Sequence, residues 1–245
     1  MYKEHPSFKS ISDETKIWRF MDLAKFCDVL EKKSLFFIKP EKFPDPWEGY
    51  LPKKHFEETS YEGIPEQFRG TLIKLAKETT PELVRKQFAV NCWHISNSES
   101  EAFWRNYSER GIAIQTTFGR LKESLKNEVE YSVYIGKVEY KDHNIDIVDV
   151  GNLFNHILWK RKSFEYENEL RAVVWEKENA DGKGVRNFNE STGHYINTNL
   201  DTLIENIYTT PFERSDWFNK LVNSLIIRYG FNFPCIKSNL MDKPF

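Results

Sequence analysis

The sequence predicts an α+β domain: a mixed, mostly antiparallel sheet, split or continuous, with helices at its periphery. Three observations carry this expectation. Strand-like and helix-period runs interleave irregularly, as β-α-β, then helices, then strands mixed with helices, whereas a doubly wound parallel sheet alternates regularly. The glycine-rich loops of nucleotide-binding parallel folds are missing, with neither GxGxxG nor GxxxxGK[ST] in the chain. A chain of 245 residues, 40% hydrophobic and 15% aromatic, can bury a sizeable core as one large domain or two small ones, and a single domain over 1–245 is the expectation taken forward.

In chain order, Trp18-Arg19-Phe20 reads as a short strand. From Asp22, Leu23, Phe26, Cys27 and Leu30 recur at i, i+3, i+4 and i+7, one apolar stripe of a helix. SLFFI (34–38) is a buried strand, and KPEKFPDPWEGY (39–50) is a proline-rich loop. Residues 65–77 predict a helix with Phe68, Leu72 and Leu75 inward, and Pro81 opens another at its first position. QFAVNCWHIS (87–96) is strand-like, and Ser98-x-x-Glu101 resembles a capping box that starts a helix over 99–108. GIAIQTTF and YSVYIGKVEY predict strands. NLFNHILWKRK (152–162) follows a helical period through Phe154, Ile157, Leu158 and Arg161. SFEYENELRAVVW (163–175) alternates as a strand, with Glu167, Glu169 and Arg171 on one face and Leu170, Ala172 and Val174 on the other. The last helix runs over about 215–229, capped by Ser215 and stopped by Gly230, with Trp217, Leu221 and Leu225 packed on the sheet. FPCIKS closes the chain as a short strand.

Composition bounds the function. With 35 Lys+Arg against 37 Asp+Glu the formal charge is −2, which argues against nucleic-acid binding by bulk charge. No apolar run approaches the roughly 18 residues of a spanning helix, so no membrane partner is expected. MYKEHPSFKS has no apolar core of signal-peptide length. Cys27, Cys92 and Cys235 are odd in number and lack CxxC spacing, which fits neither a disulfide framework nor a zinc knuckle; the expected compartment is a reducing cytoplasm. HExxH, GxSxG and the zinc-deaminase signature are all missing.

Four clusters carry more charge or aromatic surface than local structure needs. Arg19 between Trp18 and Phe20 is either a stem packed on an aromatic or a cationic fork holding phosphate or carboxylate. Asp45 and Glu48 sit in FPDPWEGY, a loop stiffened by two prolines. Ser96-Asn97-Ser98 leads into a helix with Trp104 and Tyr107, after His94, which reads as a structural histidine. In SFEYENELRAVVW, Glu167 and Glu169 repel if they share a face, so they need Arg171, Lys160, Lys162, a metal or ligand hydroxyls as partners. On that reading, removing the Glu169 charge relieves strain. Asp45, Glu48, Glu167 and Glu169 could also gather one or two Mg²⁺ ions in a hydrolase or nuclease, and a non-catalytic binding module is a third class.

Taken together, Trp18-Arg19-Phe20, LFF, FPDPWEG, W-x-x-Y before RGIAI, GKVEY and FEYENELR resemble a bacterial family known as domain of unknown function 2971. The stretch from LIENIYTTPF through KSNL resembles the end of a subgroup, so the likeness spans nearly the whole chain. Where many members carry Trp, this sequence has Phe164. The order Arg19, Ser96-Asn97-Ser98, Glu167-Asn168-Glu169 also resembles that of ADP-ribosyltransferases, at the level of fold analogy. That resemblance implies an ADP-ribosyltransferase-like fold and NAD as cofactor, in an enzyme or an inactive NAD-binding relative; the bacterial family resemblance implies a defence, toxin or mobile-element setting. It implies that Glu169 holds the ribose hydroxyls and Glu167 orients or deprotonates an acceptor. Arg19 would pair with the pyrophosphate, Ser96 would shape the pocket, and Tyr107 or Trp104 would stack on a ring. The wider ligand-binding set is Trp18, Ser98, Asp45, Glu48, Arg171 and Lys162. The expected partner is a small-molecule or nucleotide ligand; a protein or nucleic-acid acceptor is left open.

Overall fold

The computed structural model describes residues 1–57, 63–107, 110–176 and 191–244. The chain begins with β1 (Lys16–Asp22), α1 (Leu23–Lys32) and β2 (Ser34–Ile38). Asp22 caps α1, its Oδ1 accepting from the Lys25 amide at 2.8 Å, and Lys33 ends the helix in the left-handed region at φ 48°. Next come α2 (Glu66–Lys74), a π turn (Leu75–Thr79) and α3 (Thr80–Gln87), then β3 (Phe88–Ile95), α4 (Glu101–Tyr107) and β4 (Gly111–Thr117). The series continues with α5 (Phe118–Ser124), β5 (Val133–Lys137), β6 (Glu139–Lys141), β7 (Trp159–Arg161) and β8 (Glu169–Trp175). It ends with β9 (Gly193–Asn197), α6 (Leu200–Leu203), β10 (Asn206–Thr209), α7 (Trp217–Arg228) and β11 (Cys235–Lys237). Among the described residues no helix is long and apolar enough to cross a membrane.

The architecture is α+β, with a mixed, mostly antiparallel sheet. Among the described residues nine strands form the main sheet, β6 and β7 pair separately, and of the strand pairs only β6–β7 and β10–β11 are parallel. One edge of β3 pairs with β8 along its whole length, from Phe88↔Trp175 to His94↔Glu169. The other edge is shared. β1 pairs at Trp18↔His94 and Ile17↔Ile95, whereas β2 pairs at Ile38↔Val90. Between Val90 and His94 neither strand stays in register, so the sheet parts into a β1-β4-β10-β11 limb and a β2-β9 limb. Side chains take over there: Arg19 Nη1 donates to the Cys92 carbonyl at 2.7 Å, and Asn91 Nδ2 donates to the Phe36 carbonyl at 2.9 Å. Both carbonyls are thereby satisfied where ladder bonds lapse.

The main core lies on one face of this sheet, where Ile17, Trp93, Leu170 and Ala172 pack with Phe26 of α1 and Val222 of α7. Two smaller clusters cover the other face: Phe88, Val90 and Val173 with Tyr134 and Phe154, and Trp18, Phe20 and Ala113 with Trp104. The alternation read for Leu170, Ala172 and Val174 is thus the core face of β8.

Several expectations need correction. The 65–77 helix forms, but Phe68, Leu72 and Leu75 are exposed (53%, 36% and 47%); the segment meets the body through Ala76, packed on Leu51, Val148 and Trp159. Residues 152–162 are a 3-10 turn (Leu153–His156) followed by β7, because Trp159, Lys160 and Arg161 find strand partners in β6. The apolar period there marks burial of Phe154, Ile157 and Leu158 without a helix. YSVYIGKVEY breaks at Val138, whose amide donates to the Glu169 carbonyl, leaving two strands. The helix over 99–108 starts at Glu101, with Ser100 Oγ accepting from the Phe103 amide at 3.5 Å in place of Ser98; Ser108 lies outside the described residues. The last helix buries Phe218, Val222 and Ile226, one position round from the expected stripe, and leaves Trp217 45% and Leu221 38% exposed. Ser215 donates to Glu213 and does not cap it.

Candidate functional site

A cavity of about 680 Å³ opens where the sheet parts. Cys92 and His94 of β3 and Glu169 at the start of β8 line it, with Trp18, Arg19 and Phe20 from β1. Glu167 does not share the β8 strand. It ends a 3-10 turn (Lys162–Glu167), and Asn168 reverses the chain in the left-handed region at φ 38°, a conformation that asparagine tolerates better than most residues. Asn168 Nδ2 donates to the Ile95 carbonyl at 2.7 Å, which docks the turn on the end of β3. Both glutamates therefore reach the cavity, by a route the period-two alternation did not foresee.

Beneath the cavity lies a buried charge network. Arg171, fully buried, grips both carboxylate oxygens of Glu48 (2.8 and 2.9 Å) and both of Glu169 (2.9 and 3.1 Å), and donates to the Ile157 carbonyl at 2.7 Å. Lys160 bonds Glu167 at 2.5 Å and lies 3.5 Å from Glu48 and 3.7 Å from Glu169. Burial alone would lower the Arg171 pKa, but the two glutamates hold it well above its ordinary value. Burial alone would raise Glu169, yet Arg171 and Lys160 keep it below the usual carboxylate range. For Glu167 burial wins over Lys160, and its pKa is raised.

The FPDPWEG loop brings Glu48 inward. Asp45 Oδ1 accepts from the Trp47 amide at 3.1 Å and from Arg161 at 2.7 Å, and Gly49 turns the chain at φ 81°. Arg85 locks the loop through the Pro46 carbonyl at 2.8 Å. The carboxylates read as metal ligands are thus matched with protein cations. Among the described residues, no group of three or more His, Cys, Asp or Glu side chains is placed to hold a metal ion.

Aromatic rings frame the opening. His94 stacks on Phe103 (4.2 Å, 26°), Phe103 on Tyr107 (6.0 Å, 10°) and Tyr107 on Phe20 (6.4 Å, 28°). Phe43, Phe164, Tyr166 and Tyr195 add four more rings. Burial pushes the Tyr107 phenol up to about 12, so it stays a neutral hydrogen-bonding group. Burial, with Glu169 beside it, likewise raises Cys92 well above its ordinary value, which keeps it a thiol and a poor nucleophile. Arg19 carries a single hydrogen bond, to the Cys92 carbonyl, and no ion pair among the described residues; burial lowers its pKa.

The cavity thus gathers Trp18, Arg19, Asp45, Glu48, Tyr107, Glu167 and Glu169 from the expected set. Others stand outside its lining. Ser96 Oγ and Ser98 satisfy each other (2.7 and 3.2 Å), and the Ser96 carbonyl accepts from Trp18 Nε1 at 2.9 Å. Trp104 is core, edge-on to Phe20 with Nε1 on Glu99 at 2.9 Å. Lys162 is exposed and lines no part of the cavity. Arg171, having no exposed surface, positions the glutamates and meets no ligand. Lys160, Phe103 and Tyr195 were not singled out as ligand contacts. Phe103 could have been found as the neighbour one turn before Tyr107; Tyr195 carried no signal because β9 was not foreseen. Comparison of the chain with protein-family models, curated proteins and solved structures gives no match in any of the three.

Proposed function

We propose that this cavity takes a nucleotide of the NAD class, and that the protein is an ADP-ribosyltransferase-like enzyme or an NAD-binding relative of one. The observation that carries this reading is that Arg19, which has no ion pair among the described residues, and two glutamates, Glu167 and Glu169, line one cleft at the parting of the sheet. Such an arginine suits a diphosphate, whose planar recognition by a guanidinium replaces the water lost on burial. The ring stack from His94 to Phe20 suits a flat heteroaromatic base.

The reading assigns the carboxylates distinct roles. Cleavage of a nicotinamide–ribose bond develops positive charge at the sugar, and a fixed carboxylate nearby stabilises it. Glu169 has both oxygens engaged by Arg171 and is 5% exposed, so its part is positional and electrostatic. Glu167 Oε2 accepts from Lys160, while Oε1 has no partner among the described residues and is free to meet a ribose hydroxyl. The ribose contact that the resemblance implied for Glu169 thus passes to Glu167.

Thermal shift with NAD, ADP-ribose, other nucleotides and Mg²⁺ tests the proposal. NAD or ADP-ribose at about 100 times its dissociation constant should add about 2.7 kcal/mol. That corresponds to roughly 5–11 °C in a domain of this size. Stabilisation by Mg²⁺ alone, or none by any nucleotide at millimolar concentration, overturns the reading.

A further inference from the structure

We infer that His94 is the proton-accepting residue of the cavity, presenting the Nε2 lone pair to the hydroxyl that attacks the ligand. In its chemical step this rests on the NAD-class reading above. The geometry of the imidazole stands without it. His94 Nδ1 lies 2.7 Å from the Glu167 backbone carbonyl. A carbonyl only accepts, so Nδ1 carries the hydrogen, and in the uncharged ring the lone pair must sit on Nε2. Nε2 has no hydrogen-bond partner among the described residues, and the residue lines the cavity. The ring cannot swing freely: it lies on Phe103 at 4.2 Å, and β3 fixes its backbone between Trp18 and Glu169.

The charged and titratable groups of the elements packed around it hold other partners or stay neutral. From β8, Glu169 is tied to Arg171; from the preceding turn, Glu167 is tied to Lys160. Arg19 of β1 bonds the Cys92 carbonyl, Cys92 of β3 stays a thiol, and Tyr107 of α4 stays a neutral phenol. Burial lowers the His94 pKa, and the Glu167 carbonyl only partly opposes this. The ring is therefore uncharged at neutral pH. An uncharged imidazole with an unpartnered Nε2 lone pair can take a proton directly.

The step balances. The oxygen of water, or of an acceptor hydroxyl, bonds the ribosyl carbon as the glycosidic C–N bond breaks. The bonding pair moves onto the pyridinium nitrogen, releasing neutral nicotinamide, and the attacking oxygen's proton passes to His94 Nε2. With water the products are ADP-ribose, nicotinamide and one proton, which the imidazolium returns to solvent. The hydrogen bond from Nδ1 to residue 167 couples this base to the turn bearing the carboxylate that steadies the sugar.

Two measurements on the full chain test the inference separately from the ligand reading. In the unliganded protein, ¹⁵N-histidine NMR, with the signal assigned by His94→Gln, should show the Nδ1–H form at neutral pH and titration below the ordinary histidine range. An Nε2–H form overturns the inference even where NAD binds. In the second measurement, nicotinamide release at saturating NAD should fall by roughly 100-fold or more in His94→Gln. Wild-type release should rise with pH along the His94 titration. Release by His94→Gln at the wild-type rate overturns the inference with the NAD reading intact; a wild type that neither binds nor cleaves NAD removes that reading and the step assigned to His94 with it.

Discussion

Replacing Glu169 by glutamine separates the charge arithmetic of the sequence from that of the folded protein. With Glu167 and Glu169 on one strand face, Glu169→Gln should relieve repulsion and leave the protein as stable or more so. The structure reverses the sign. Glu169 is 5% exposed and accepts from Arg171 at 2.9 and 3.1 Å, with Lys160 at 3.7 Å. A glutamine keeps one acceptor, but its amide sets N–H groups against a guanidinium N–H. It also leaves the buried Arg171 with half its counter-charge. Breaking a buried pair by removing one partner costs about 3–5 kcal/mol. Arg171 keeps Glu48 and the Ile157 carbonyl, so the low end, about 3 kcal/mol, is expected, or roughly 6–12 °C in Tm. Glu167→Gln is the control, since that side chain is 23% exposed and its loss should cost about 1 kcal/mol or less. Urea denaturation of the three proteins at pH 7 reads both numbers. Glu169→Gln equal to or more stable than wild type would refute the reasoning.

Two further outcomes concern stability. Ile226→Ala, at a fully buried position of α7, should cost about 2–5 kcal/mol, whereas Leu221→Ala on its outer face should cost well under that; a larger loss for Leu221→Ala would mean the helix packs by its other stripe. His55, His94 and His156 are all lowered, chiefly by burial, from the ordinary 6.5, so below that pH the unfolded chain binds more protons than the folded one. Stability should therefore be fully present above about pH 6.5 and fall as the medium is acidified through the lowered values. Glu167, which is raised, opposes this with a single proton. Flat denaturation midpoints between pH 7 and 5 would contradict this.

What the sequence revealed depended on how local the deciding interaction was. Asp22 and the i, i+3, i+4, i+7 stripe of α1 define that helix within one short segment, and the structure follows them. The core face of β8 was equally legible, because alternation needs no partner. Elements decided by distant pairing were not. Trp159 to Arg161 look helical until β6 is there to extend them, and α7 offers two adjacent apolar stripes that only the sheet can choose between. The site was half legible. Arg19, Glu48, Glu167 and Glu169 stood out as charges in apolar company, and they do line one cavity. The roles within the cluster did not show, because the ion pairs of Arg171 join residues 48, 169 and 171 across more than a hundred positions of chain. His94 is hydrogen-bonded, as a structural histidine would be, but its partner is the carbonyl of residue 167, which local sequence does not show.

The most direct test of the central claim is calorimetric titration of NAD into wild type and Arg19→Met. Arg19 has one hydrogen bond and no ion pair among the described residues, and a bound diphosphate is the partner proposed for it. Far-UV circular dichroism first confirms that the variant is folded. Wild type should bind, and Arg19→Met should bind at least about tenfold more weakly, since a hydrogen bond to a charged group contributes about 1.5–3 kcal/mol. Equal affinities for the two proteins, or no binding by wild type, would contradict the assignment of this cleft to a nucleotide.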